Sequence, residues 1–221
     1  HICGDQHLAV FVKHGIDKHG DGPFGFTTPA IVNTIYGRWW HPLEEKAGAN
    51  AVAGSPLPWT GDYHDGLGNP ISMLAYANPE DRMDEKKRGD GYGIVRFDKR
   101  QRTITFECWP RFCDVQDGDK VQYPGWPITV RMEDNDGRTP VGWLPELVVR
   151  GSGSPVIQVI NQEGGEILYT VRAASNRFRP PVYAEGKYTV KIGKDRPDGK
   201  TLRNLQPGPS DSDQTRTVKL P

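Results

Sequence analysis

The stretches Gly93-Ile94-Val95-Arg96-Phe97-Asp98 and Thr103-Ile104-Thr105-Phe106-Glu107-Cys108-Trp109 both alternate apolar and polar residues. They flank the polar tetrad Lys99-Arg100-Gln101-Arg102. A period of two puts alternate side chains on opposite faces of a strand, so the pair reads as a β-hairpin. Ile128 to Met132 continues the pattern and meets a turn signal at Asn135-Asp136-Gly137. Beyond Gly151-Ser152-Gly153-Ser154-Pro155, strands are expected at Val156–Ile160, Glu166–Arg172, Gly186–Ile192 and Arg216–Leu220. They are short, separated by turns and without helical period, which predicts a small antiparallel sandwich. Pro180-Pro181 belongs on an edge or in a loop, because proline cannot donate to a ladder.

The earlier part of the chain is less regular. Leu8-Ala9-Val10-Phe11-Val12 is a short apolar run that reads as a buried strand or a helix turn, its length favouring strand. Pro29 to Tyr36 is apolar enough to be buried, and Trp59 to Asn69 reads as a long loop. Ile71 to Ala77 reads as a strand, and Pro79 to Arg88 as a solvated charged loop or one exposed helical turn. Gly199 to Asp213 is polar and expected to be partly mobile.

Composition agrees with a β-rich globular chain. Among 221 residues, Gly 26 and Pro 19 are too many for a helical bundle. Six Trp, eight Tyr and seven Phe supply enough bulk for a core. Mean hydropathy is -0.65, and no stretch approaches the roughly 20 apolar residues of a spanning helix, so no membrane span is expected. Lys+Arg and Asp+Glu are 28 each, so no bulk charge recruits nucleic acid. Three cysteines are too few for a disulfide framework; Cys108 and Cys113 either pair across a turn or stay free. The first residue is His1, and the chain is expected to be a fragment or processed product of something longer.

Chemistry concentrates at Gly4-Asp5-Gln6-His7. A Gly before an Asp at a strand end lets the backbone turn and present a carboxylate and an imidazole two residues apart, donors that divalent metals accept. The plain alternative is a turn Asp and a surface His. Arg38-Trp39-Trp40 also has two readings: a core plug with the Arg stacked on a Trp, or the wall of a substrate cleft. Other classes find no motif, since neither Gly-x-Ser-x-Gly nor Gly-x-x-x-x-Gly-Lys-Ser/Thr occurs. Gly89 to Gly93 precedes a strand where a phosphate loop needs a helix. Asp134-Asn135-Asp136-Gly137 lacks the closing Glu of a calcium loop.

Taken in order, HICGDQHLAVFVKHGID (residues 1–17), TPAIVNTIYGRWWHP (28–42) and GYGIVRFDKRQRTITFECWP (91–110) resemble the C-terminal part of alkaline phosphatase D-like (PhoD-like) metallophosphatases. These belong to the calcineurin-like metallophosphoesterase superfamily. Gly4-Asp5-Gln6-His7 is similar to that branch's last metal motif, and the stretches from Tyr123 and from Asp134 to Arg138 resemble its tail.

The resemblance implies a mainly β fold: C-terminal strands of a metallophosphoesterase-type α/β sandwich in residues 1–120, then a small antiparallel, immunoglobulin-like β-sandwich tail in 121–221. It implies phosphate-ester hydrolysis by two divalent or trivalent metal ions, which bind phosphate oxygens and lower the pKa of a bound water. Asp5 and His7 would be metal ligands, and His14 and Asp17 would orient a ligand imidazole. Arg38, Trp39 and Trp40 would line the substrate cleft. The family's earlier metal motifs are absent, and Asp62-Tyr63-His64 follows the last motif, so it cannot replace the first. The chain alone is therefore expected to be inactive and to complete a site with a missing upstream half. By the same resemblance the parent protein is extracytoplasmic: periplasmic, surface-bound or secreted. The competing expectation is a non-enzymatic secreted β-sandwich module that binds carbohydrate or protein through exposed Trp and Tyr.

Overall fold

A computed structural model describes residues 1–32 and 37–221. The chain is mainly β; its described residues hold no α-helix, only short 3-10 turns. It divides into two compact units, His1–Gly137 and Arg138–Pro221.

Among its described residues the first unit holds eight strands. These are β1 (Ile2–Gln6), β2 (Ala9–His14), β3 (Phe24–Pro29), β4 (Gly61–His64), β5 (Pro70–Ala77), β6 (Gly91–Asp98), β7 (Thr103–Pro110) and β8 (Ile128–Arg131). Five form one sheet in the order β1-β3-β2-β5-β4, and three form another in the order β6-β7-β8. The expected hairpin is β6–β7, in continuous register from Gly91↔Pro110 to Asp98↔Thr103. Its turn is closed by the Asp98 carboxylate, which accepts from the Arg100 and Gln101 N–H groups at 2.8 and 2.9 Å. Arg102 takes a left-handed φ of 56°.

The apolar run at residues 8–12 is strand β2, and its lack of alternation has a simple cause: both faces are buried. Ala9 and Phe11 join Phe24, Phe26, Ala75, Phe106, Cys108 and Trp126 in one core cluster. Val12 joins Met73 and Tyr76, with Val10, Trp40, Trp59 and Tyr63 packed around them on the other side. A register shift between Phe11 and Val12 lets β5 place Ala75 and Ala77 in the first cluster and Met73 and Tyr76 in the second.

Some expectations are corrected and others, left open by the sequence, are decided. The stretch 59–69 contains β4, which pairs antiparallel with β5. Pro29 and Ala30 are buried, but Ile31 is 71% and Val32 40% exposed, and residues 33–36 lie outside the described ones. Within Pro79–Arg88, Glu85–Lys87 forms a single 3-10 turn, capped by the Asp84 carboxylate on the Lys86 N–H. β8 lies past residue 120, yet it pairs with β7 in the first unit. All three cysteines are free.

The second unit holds β9 (Gly142–Trp143), β10 (Glu146–Arg150), β11 (Val156–Asn161), β12 (Ile167–Arg172), β13 (Arg177–Phe178), β14 (Pro181–Val182), β15 (Tyr188–Gly193), β16 (Lys200–Leu205) and β17 (Thr215–Lys219). A four-stranded sheet β12-β11-β15-β16 and a three-stranded sheet β13-β10-β17 enclose one core. Leu147, Val149 and Val218 face it from one side, and Ile157, Val159, Tyr188, Val190 and Ile192 from the other. This is a β-sandwich, though not wholly antiparallel: β10 and β17 run parallel, from Glu146↔Thr215 to Arg150↔Lys219. Pro181 sits in the two-stranded sheet of β9 and β14, where the neighbouring Pro180 and Val182 carbonyls accept from Leu144 and Val141. β16 occupies part of the stretch expected to be mobile.

Candidate functional site

One end of the five-stranded sheet gathers Asp5, His7 and the Arg38-Trp39-Trp40 segment. β1 runs parallel to β3, so both strands end there, while β2 and β5 begin and end there through the pair Ala9↔Ala77. Backbone bonds tie the loops together. The Gln6 carbonyl accepts from Ala30 at 2.9 Å, the Ala30 carbonyl from Gly91 at 2.8 Å, and the His7 carbonyl from Arg38 at 2.8 Å.

Asp5 has φ 56°, and the β1–β3 register shifts between Cys3 and Gln6. A left-handed Asp costs about 1 kcal/mol against an extended one, a cost that functional sites commonly retain. The strand therefore bulges around the Gly-Asp step. The Asp5 side chain is exposed, and among the described residues no hydrogen bond or ion pair engages its carboxylate. His7 is half-buried two residues on, with its N–H donating to the Gln6 side-chain carbonyl at 3.2 Å.

The Arg38-Trp39-Trp40 segment splits in role. Trp40 is structural: its backbone exchanges hydrogen bonds with the Asn78 side chain at 2.7 and 2.8 Å. Its indole N–H donates to the Trp59 carbonyl at 3.1 Å, and its ring meets Tyr63 edge-on at 5.2 Å. Trp39 is 43% exposed beside exposed Arg38. Among the described residues no cation–π contact involves Arg38, so the expected Arg–Trp stack is not formed. Trp59 lies across Tyr76 and Tyr63 bonds to the Gly48 N–H and Lys46 carbonyl, so both loop aromatics act as packing anchors.

His14 and Asp17 are elsewhere. β2 carries His14 to its far end, about 17 Å of strand from Ala9 at ~3.4 Å per residue. Asp17 follows in an exposed loop, where its N–H binds the Asp21 carboxylate at 3.1 Å. Neither side chain is placed to orient His7. Instead Asp21, which sequence reading passed over, organises that loop, accepting from Ile16 at 2.6 Å and Lys18 at 3.2 Å. The Ile16 N–H, with those of Asp17 and Lys18, holds the Asp21 carboxyl below its usual range.

Two buried acids of this unit are spoken for. Glu107 is 5% exposed and bonds to Arg96 and to the Trp109 indole N–H at 2.9 Å. Burial opposes its ionisation, but those two donors outweigh it and hold its carboxyl below the usual range. Asp90, 2% exposed, pairs with Arg111 at 3.3 Å.

Among the described residues no three His, Cys, Asp or Glu side chains converge as metal ligands. Asp5 and His7 thus offer at most part of a coordination shell, fitting an oxygen–imidazole donor set but not filling one. What the geometry provides is an exposed carboxylate at a left-handed backbone position and an imidazole two residues along the chain, with Ile31, Val32 and Trp39 exposed on the segments whose backbones are tied to Gln6 and His7.

No family model and no curated protein matches the chain. A solved structure, the backbone protein of the group B streptococcus pilus 2b, overlaps 96% of this chain and 76% of its own, with 10% identity and a TM-score of 0.18. An overlap that loose bears on neither fold nor function.

Proposed function

We propose that this chain is the C-terminal portion of a PhoD-like phosphoesterase, contributing Asp5 and His7 to a two-metal site whose other ligands lie upstream. The observation that carries the reading is Asp5 itself. Asp5 is held at φ 56° next to the end of β1, with an exposed carboxylate that no hydrogen bond or ion pair engages among the described residues, which leaves that carboxylate available to a ligand. In the assembled site Asp5 and His7 would hold part of the metal centre, which when bound would supply Lewis-acid chemistry for phosphate-ester hydrolysis. The exposed Trp39, Ile31 and Val32, on segments tied by backbone bonds to Gln6 and His7, would be available to meet the apolar part of the ester. On this reading the substrate is a phosphate ester, the parent protein works outside the cytoplasm, and the chain alone is inactive.

The test uses the longest natural chain that contains these residues, assayed on p-nitrophenyl phosphate and bis(p-nitrophenyl) phosphate with Mn²⁺, Zn²⁺ or Ca²⁺. Asp5→Ala and His7→Ala should each lower turnover roughly a hundredfold or more. Equal turnover in parent and variants would overturn the proposal.

A second reading, a secreted carbohydrate- or protein-binding module, draws on the exposure of Trp39, Ile31 and Val32. It predicts that Trp39→Ala abolishes glycan or protein capture while Asp5→Ala leaves it intact.

A further inference from the structure

At the end of the sheet away from Asp5, two imidazoles meet. His64 closes β4 opposite Pro70, and His19 lies in the loop that leaves β2 at His14. That loop is fixed in place. The Gly15 N–H donates to the Pro70 carbonyl at 2.9 Å, the Gly22 N–H to the His14 carbonyl at 2.9 Å, and Asp21 gathers three further N–H groups. The rings of His19 and His64 stand 4.9 Å apart, centroid to centroid, at 77°.

The tautomer of His19 follows from its partner. Its Nε2 lies 2.8 Å from the Tyr63 carbonyl, and a carbonyl can only accept. Nε2 therefore carries the proton, and the basic lone pair sits on Nδ1. Imidazoles that ligate metals are held in this way, one nitrogen donating to a carbonyl or carboxylate and the other facing the ion. Among the described residues no hydrogen bond or ion pair engages the exposed His64 ring. The adjacent Asp65 carboxylate is already occupied by the Leu67 and Asn69 N–H groups and the Asn69 side chain.

We propose that His19 and His64 chelate a late first-row divalent ion such as Zn²⁺ or Ni²⁺, with water completing the shell. Two imidazoles without a free carboxylate favour such ions over Mg²⁺ or Ca²⁺, which require oxygen donors. The site stands independently of the phosphoesterase reading, because it shares no residue with Asp5 and His7.

The test is a Zn²⁺ titration of the whole chain at pH 7.5, followed through the imidazole ¹H–¹⁵N resonances, with Mg²⁺ in parallel. The His19 and His64 signals should move together and saturate near one equivalent, with no response to Mg²⁺. His64→Gln and His19→Gln should each weaken Zn²⁺ binding roughly tenfold or more, and His7→Ala should leave the response of these two rings unchanged. Zn²⁺-induced shifts confined to other histidines, or equal affinity in both Gln variants with native spectra, would overturn the chelate. The outcome of His7→Ala in the phosphoesterase assay has no bearing on this result.

Discussion

Phe11 is the residue on which the first unit's core turns, and Phe11→Ala measures that core directly. Its side chain is fully buried, and four aromatic rings surround it. Phe24 stacks at 5.3 Å, Phe106 tilts against it at 4.5 Å, and Phe26 and Trp126 meet it edge-on at 6.5 and 6.2 Å. Truncating a buried Phe costs about 3–5 kcal/mol, the higher figures arising where neighbours cannot collapse into the void. Here three of the four rings stand on two hydrogen-bonded sheets, so the expected loss is about 4 kcal/mol. With a urea dependence of about 2 kcal/mol per molar for a unit of this size, the midpoint should fall by about 2 M. Tryptophan fluorescence is a suitable probe, because Trp143 alone of the six tryptophans lies outside the first unit. Phe97→Ala, at a site 59% exposed, serves as the control and should shift the midpoint by less than about 0.3 M. A Phe11→Ala shift as small as that of Phe97→Ala, at unchanged slope, would refute the placement of the core.

Three other outcomes are expected. Asp5→Gly should stabilise this chain by about 0.5–1 kcal/mol in urea unfolding, because glycine takes φ 56° without strain; a loss of stability would mean that the carboxylate has a structural partner. Glu107 has a folded pKa below its unfolded one, so it stabilises the fold above pH ~4.5 and that contribution is lost as pH falls through the folded value. Glu107→Gln should cost about 1–2 kcal/mol at pH 7 and flatten the decline in stability below pH 4.5, and an unchanged acid profile would count against the Arg96–Glu107–Trp109 network. Of the thiols, exposed Cys3 should react promptly with a disulfide reagent in the native protein. Cys108, fully buried and pushed far up by that burial, should react only on unfolding, and its rapid native labelling would contradict its position between the sheets.

Elements whose residues obey a simple period could be read from the sequence. The β6–β7 hairpin alternates cleanly, and β2 is a short apolar run because it is covered on both sides. β4 was hidden because Gly61-Asp62-Tyr63-His64 has one large apolar residue and begins at a glycine with φ 114°, where a Cβ would come within 2.6 Å of the Ala49 carbonyl oxygen. β16 was hidden for another reason. Its inward residues, Leu202 and Leu205, are three apart, because the register with β15 slips there and Asn204 takes φ 56°. The parallel pairing of β10 with β17 depends on strands at opposite ends of the unit, which local pattern cannot report. The candidate site was legible as a motif at Asp5 and His7. The distance of His14 was not, since it follows from β2 running straight through the sheet.

The parallel seam between β10 and β17 also governs when the second unit can be finished. As the chain emerges from a ribosome, β10 appears early with two hydrogen-bonded neighbours to acquire: the two-residue β13 and the late β17. Until Thr215–Lys219 has been made, one long flank of β10 is open and Val218 and Leu220 are missing from the core. Nothing in the first unit waits on those residues, so it can close while the second is still being translated. Birth of the sandwich is therefore gated by its last strand, and a stalled or clipped chain leaves a finished first unit attached to an open sheet edge, a substrate for quality-control proteases and for self-association.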